Sequence, residues 1–359
     1  MAGAPTDRIP LHALLLPLLG LAAWLLFGKA GTGPLALLLA AALLGNVLAA
    51  VHHAEVVALR VGEPFGTLIL ALAVTVIEAG LIVALMLGGD TNPGLMRDSV
   101  HAAVMLVVHG LAGLCIVVAA WRHRDAEFRV EGASSFLAVL IPMAALVLVY
   151  PNHAQAVPGP YLSWPQLAFV SLACLALYGA FVFIQTSWHR DYFLPVGDAG
   201  THGRAQPSAR LALASFALMC VALLAVVMLA KALGPALEAG VRAAGAPAAM
   251  TGVLVAVIVL MPESAAAVRA AAANRLQSSI NLALGAAVAC IGLTVPAVAA
   301  VAWWQGMPLA LGIAPGQTVL LGLSFLVAII TYGTGRTNLL CGLVHLVLAA
   351  TYVFAIFAP

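Results

Sequence analysis

The chain has 359 residues, 64% of them hydrophobic and only 8% charged, with a mean hydropathy of +1.11. A water-soluble domain carries about 25% charged residues, so this composition excludes a soluble globular protein and defines an all-α polytopic membrane protein. The net charge of +2 is small, and no basic stripe or aromatic platform is present, so nothing points to a nucleic-acid partner.

At about 20 apolar residues per crossing, the sequence predicts eleven spans, near residues 11–28, 34–59, 65–88, 99–121, 135–150, 165–187, 211–231, 249–273, 279–301, 316–332 and 338–358. Breaks fall at Gly31-Thr32-Gly33-Pro34, Gly88 to Pro93, Pro158-Gly159-Pro160 and Gly245-Ala246-Pro247. The first run follows Arg8 as a signal peptide would, but no small-residue cleavage site follows it, and it is read as a span. The five cysteines all lie inside apolar runs without a CxxC pair, as small buried hydrophobes do.

Orientation follows from the Lys and Arg residues. With the N-terminus in the cytoplasm, Arg8, Arg60, Arg122, Arg124, Arg129, Arg190, Arg204, Arg210, Arg269, Arg275 and Arg336 fall inside. Lys29, Arg97, Lys231 and Arg242 fall outside, an eleven-to-four bias among the 15 basic residues. The six tryptophans sit near span ends, as an aromatic belt requires. A Gly/Pro/Ser-rich loop near 188–210 divides the chain: residues 1–30 hold an unpaired helix, 31–187 a first five-helix repeat, 188–210 a cytoplasmic linker and 211–359 a second repeat. Five crossings per repeat force the second to enter the membrane upside down, which gives one helix plus two inverted five-helix repeats.

Two carboxylates lie near the centres of their spans: Glu78 in Val74-Thr75-Val76-Ile77-Glu78, and Glu263 in Leu260-Met261-Pro262-Glu263-Ser264. An acid at that depth costs roughly 2.5–3.5 kcal/mol. Thr67, Ala71, Thr75 and Glu78 share one helical face; Gly252, Ala256, Leu260, Glu263 and Ala267 share another, both rich in small residues that let helices approach. A carboxylate is a hard ligand for Ca²⁺, Mg²⁺ or Na⁺, and a second one nearby penalises full ionisation. A site that holds either a cation or protons, opened alternately to each side, is the minimum machinery of a cation/proton antiporter. Interhelical hydrogen bonding is the plainer role for the same glutamates. Pro262 cannot bond to the carbonyl four residues earlier, and a freed carbonyl at that depth is a further oxygen ligand; a tolerated kink is the alternative.

The secondary candidates are polar residues around these spans. His52 and Glu55, in Val51-His52-His53-Ala54-Glu55, form either an ion access funnel at the cytoplasmic mouth or a simple pairing of Glu55 with an arginine. The spacing is not HExxH, which excludes that zinc site. His101 and His109 form one stripe with Asp98, and Gln277 and Asn281 another; the histidines read as interhelical partners, Asn281 as a ligand or a support for one. Thr75 and Ser264 flank the glutamates, and bonding back to their own helices is the commoner fate of such hydroxyls. A carboxylate-lined channel or uniporter without proton coupling is the competing class. An intramembrane enzyme would need a nucleophile or metal triad at one depth, and the histidines scatter over different spans.

The stretch from Ala54-Glu55 through Gly62-Glu63-Pro64-Phe65-Gly66-Thr67 to Glu78 resembles the first signature of the bacterial calcium/proton (sodium/proton) antiporters of the ChaA type, in the cation/calcium exchanger superfamily. Leu260-Met261-Pro262-Glu263 and Asn274 to Gly285 resemble the second, and Gln185 to Phe193 is similar to the stretch closing the first half. The resemblance implies eleven helices and a Glu78/Glu263 site for the transported cation and proton. It also implies a bacterial inner-membrane location, inorganic cations and protons as partners alongside the bilayer, and no cofactor. The wider proton-exchanger family carries Gly-Asn-Ala-x-Glu before its acids, and this chain does not. Loss of those asparagine oxygens counts against Ca²⁺ selectivity and makes Na⁺ or K⁺ correspondingly more plausible; the expected activity is export of Ca²⁺ or Na⁺, with K⁺ as a further candidate, in exchange for protons. Oligomeric state is not legible.

Overall fold

The computed structural model describes residues 9–29, 33–62, 65–88, 92–124, 126–194 and 206–358. Glu63 and Pro64 of the first signature, Arg8, residues 195–205 of the 188–210 linker and the Thr67 side chain lie outside the described residues. Among the described residues, eleven helices of 17 residues or more run in chain order. They are α1 Leu11–Phe27, α2 Pro34–Val61, α3 Phe65–Gly88, α4 Leu95–His123, α5 Val130–Asn152, α6 Trp164–Trp188, α7 Ala209–Ala243, α8 Ala249–Ala272, α9 Leu276–Gln305, α10 Pro315–Tyr332 and α11 Leu339–Phe357. Ten of these are long and apolar enough to span; α1 is 17 residues long, about 25 Å at 1.5 Å per residue, and sits at the lower limit.

Local chemistry sets the ends. Gly33 at φ 64 precedes Pro34, which opens α2, and Gly62 at φ 78 closes it, where a side chain would be strained. Ser163 and Gln166 form a capping box on α6; Ser208 and Asn338 accept the Leu211 and Cys341 amides at the starts of α7 and α11. The expected end of the seventh span at residue 231 is corrected: α7 continues to Ala243, 35 residues, about 52 Å against a hydrocarbon core of about 30 Å. Its last turns run through Gly234, Pro235 and Gly240, and Ala, Leu, Glu238 and Arg242, strong helix formers, fill most of the remaining positions.

The chain forms two compact units that do not follow its sequence halves: Met1–Asn92 with Thr201–Gly245, and Pro93–Gly200 with Ala246–Pro359. In the first, α2 packs on α1, α3 and α7, and α7 also packs on α1 and α3. Pro17 leaves the Ala13 carbonyl without its helical donor. His53 Nε2 of α2 meets that carbonyl at 2.9 Å, so one buried imidazole ties α1 to α2.

In the second unit α4 packs on α8, α9 and α11, while α9 packs on α5, α6 and α8. The inverted repeat shows in matched pairs: α4 against α11 and α9 against α6. Both α4 and α9 widen into π-turns, at Leu106–Leu111 and Cys290–Thr294. Ala126–Glu127 pairs antiparallel with Arg336–Thr337, joining the loop after α4 to the loop after α10. On the other face Tyr161 bridges Ala310, and the Ala310 amide bonds the Pro93 carbonyl. Each of these contacts joins loops of the same parity, as alternating crossings demand.

Small residues set the closest approach. A Cβ on Gly252 of α8 would lie 2.7 Å from the Asp98 carbonyl carbon and 2.7 Å from the Ser99 nitrogen of α4. Gly252→Ala is therefore expected to push α4 from α8 and to cost about 1–3 kcal/mol, measured as a lower unfolding temperature of the purified protein in detergent.

Candidate ion-exchange site

Glu78 is 3% exposed on α3. The helix reaches that depth by packing on α2 and α7, through a cluster of Ala54, Ala73 and Met219 with Leu70 and Leu223 beside it. Gly80, two residues on, leaves no space for a side chain against Val227 of α7, where a Cβ would come within 2.7 Å. Thr75, one turn before Glu78, is buried, and its Oγ1 donates to the Ala71 carbonyl at 2.8 Å. The proton is spent within the helix, but the hydroxyl oxygen keeps acceptor capacity, so hydroxyl and carboxylate share a face at i, i+3 spacing.

Glu263 lies in the other compact unit, on α8, half-buried, with its Oε2 atom out of solvent contact. Ala256, Leu260 and Ala267 on its face are buried, and Ser264 is half-buried. The helix continues through Pro262 without a break. Proline here supplies an Ile258 carbonyl without its usual donor, and no unwound segment forms. Irregular backbone falls instead in other helices, as π-turns in α4 and α9, each following a glutamate-bearing helix, and also in α5 at Ala145–Val149 and α6 at Ile184–Trp188.

The polar stripe of α4 is built into the second unit. Arg97 Nε donates to Asp98 Oδ1 at 2.7 Å and its Nη1 reaches the Gly312 carbonyl at 3.5 Å. His101 is buried edge-on to Tyr352 of α11, ring centroids 4.9 Å apart. His109, within the π-turn, stacks on His345 of α11 at 4.8 Å, and the two Nδ1 atoms are 2.8 Å apart. In the corresponding stripe of α9, Gln277 accepts the Arg129 amide at 2.6 Å and donates to Asn281 Oδ1 at 2.9 Å. Asn281 donates to the Phe193 carbonyl at 2.6 Å. Gln277 and Asn281 thus tie the start of α5 and the segment after α6 to α9.

Glu55 is exposed near the end of α2, and His52 is half-buried, 6.3 Å from the His12 ring and 5.5 Å from the His53 ring. Among the described residues no three His, Cys, Asp or Glu side chains converge as a metal cluster. Sequence reasoning passed over His345, Thr331 and Tyr352. His345 stands alone in the apolar run Leu343-Val344-His345-Leu346-Val347, and an ionisable group inside a span was the signal available.

Inverted five-helix repeats that each bury a carboxylate-bearing helix define the class of membrane cation exchangers. The chain belongs to the sodium/calcium exchanger protein family, whose model matches residues 33–187 and 214–358. It is 44% identical over 351 residues to the y4hA protein of Sinorhizobium fredii and 36% identical over 356 residues to the sodium-potassium/proton antiporter ChaA of Escherichia coli. Each alignment covers 96% of this chain and 96% of the relative. Its fold matches the solved structure of YfkE (TM-score 0.73, 16% identity, covering 97% of this chain and 100% of that one). It also matches the H⁺/Ca²⁺ exchanger CAX (TM-score 0.70, 14% identity, covering 96% and 90%).

Asn281→Ala removes the Phe193 and Gln277 hydrogen bonds together. It is expected to lower stability by about 1–3 kcal/mol while leaving the apparent affinity for the transported cation unchanged. A fall in affinity at unchanged stability would instead move Asn281 into the ion site.

Proposed function

We propose that the protein is a secondary antiporter of the bacterial cytoplasmic membrane, N-terminus inside, which exports Na⁺ or K⁺ in exchange for inward-moving protons. Glu78 and Glu263 are its ion-binding residues. The observation that carries this reading is the burial of Glu78 beside Thr75 on a helix packed through glycine and alanine, a costly placement that cation binding and protonation each offset. Cation and proton compete for the same carboxylate oxygens, and alternating access turns that competition into obligatory exchange. Thr75 adds a hydroxyl oxygen on the helix of Glu78, and the Ile258 carbonyl a backbone oxygen on the helix of Glu263. Gln277 and Asn281 hold the scaffold of α9, and His101 braces α4 on α11. Glu55 and His52 stand on the route from the cytoplasm, and Ser264 lies beside Glu263.

The preference for a monovalent ion over Ca²⁺ draws on the 36% identity to a sodium-potassium/proton antiporter. It also draws on the donor set: Ca²⁺ takes six to eight oxygen ligands, and neither glutamate has the preceding asparagine oxygen of the wider proton-exchanger family.

Glu78→Gln and Glu263→Gln are each expected to insert and fold normally, yet to abolish the pH change that Na⁺ or K⁺ evokes in everted membrane vesicles. Normal exchange by either variant removes that residue from the site. Glu55→Gln is expected to shift the pH optimum with turnover retained, and complete loss would place Glu55 in the site itself. Saturable exchange with obligatory proton counterflow is the expected flux; cation passage without counterflow would establish a channel or uniporter.

A further inference from the structure

The first unit brings two histidines together that the sequence keeps 40 positions apart. His12 is the second residue of α1, His52 lies in the last third of α2, and their ring centroids are 6.3 Å apart. Their neighbours fix that register. His53 Nε2 holds the Ala13 carbonyl at 2.9 Å, so the residue after His52 is tied to the residue after His12. His53 itself is 0% exposed and committed to that bond. The other two rings are accessible: His12 is exposed at the start of its helix, and His52 is half-buried.

We propose that His12 and His52 bind a divalent transition-metal ion of the Zn²⁺ class between α1 and α2. Imidazole nitrogen suits Zn²⁺, Ni²⁺ and Cu²⁺, whereas carboxylate oxygen suits the harder Na⁺ and Ca²⁺. The pair is therefore chemically distinct from the glutamates assigned to transport.

The geometry lies within reach of ligation. Two imidazole nitrogens on one tetrahedral zinc ion stand about 3.3 Å apart, which sets the ring centroids about 5 Å apart. Rotation of the exposed His12 side chain closes the remaining gap, while the bond from His53 to Ala13 keeps the two backbones in place. A neutral imidazole offers one acceptor nitrogen to the metal, so each ring binds without losing a proton. Among the described residues no cluster of three His, Cys, Asp or Glu side chains forms here. Water completes the coordination, as in open zinc sites, and the ion stays exchangeable with the surrounding solution.

Occupancy also has a consequence for transport, and this part rests on the antiporter reading. Glu55 follows His52 at i, i+3 spacing and shares its side of α2. A divalent ion on His52 places positive charge one turn from Glu55, on the cytoplasmic route assigned to the transported cation, and repels that cation. Zinc on the cytoplasmic side is then an inhibitor of exchange.

Zinc binding by the purified full-length protein, free of any polyhistidine tag, is measured in competition with a chromophoric chelator. Wild type is expected to hold an ion that His12→Phe and His52→Ala bind at least about tenfold more weakly, since losing even a supporting group around a metal costs that much. His12→Phe keeps a ring against His52 and removes only the ligand nitrogen. Unchanged zinc affinity in that variant is what a merely structural contact requires, and it would overturn the proposal. In everted vesicles, whose cytoplasmic face is outward, Zn²⁺ is expected to inhibit cation-evoked proton flux of wild type. His12→Phe, with the same flux before metal is added, should need about tenfold more Zn²⁺ for the same inhibition. Equal sensitivity of the two would refute the inhibitory role. Wild-type vesicles without any exchange, alongside the difference in zinc affinity, would count against the antiporter reading alone and support the metal site.

Discussion

Every polar group placed between the two faces of a membrane has to find its partner inside the protein, because hydrocarbon offers none. That constraint explains more of this molecule than its apolar surface does. Pro17 breaks one bond of α1, and a histidine from α2 fills the gap at the Ala13 carbonyl. Gln277 and Asn281 are fully engaged with backbone from two distant segments. Hydroxyls at Thr75, Thr186 and Ser324 return to their own helices.

Close packing is the second requirement, and glycine meets it. Gly252 lets α8 lie against the backbone of α4, Gly80 admits Val227 of α7, and Gly113 meets the backbone of α11 at Gly342. With no hydrophobic drive between helices in lipid, such close contacts and the interhelical hydrogen bonds beside them hold the units together. They also leave few soft places. The π-turns of α4, α5, α6 and α9 are exceptions, and those of α4 and α9 lie in the helix after a glutamate-bearing one, where a change in helix register is available without unfolding.

Much of the plan was legible from residue order. Helix number came from apolar run length, and crossing parity from arginine placement; loop pairings such as Ala126–Glu127 with Arg336–Thr337 agree with that parity. Glu78 and Glu263 announced themselves as acids in otherwise apolar runs. The end of α7 was misjudged because hydropathy reports where lipid stops, whereas helix propensity decides where the helix stops. At Pro262 the sequence left a freed carbonyl and a tolerated proline open, and the helix runs through Pro262 unbroken.

Composition and spacing by themselves determined that this chain is a bundle of eleven membrane helices, duplicated and inverted, with two acids at depth; hydrocarbon thickness and charge asymmetry leave little freedom on those points. Only the tertiary structure decided which polar residues meet. His109 and His345 are separated by 236 positions, and Asn281 and Phe193 by 88, so nothing local in the sequence links them. Such pairings are set by how helix faces turn toward one another, and that rotation depends on small-residue contacts, prolines and π-turns acting across the whole unit.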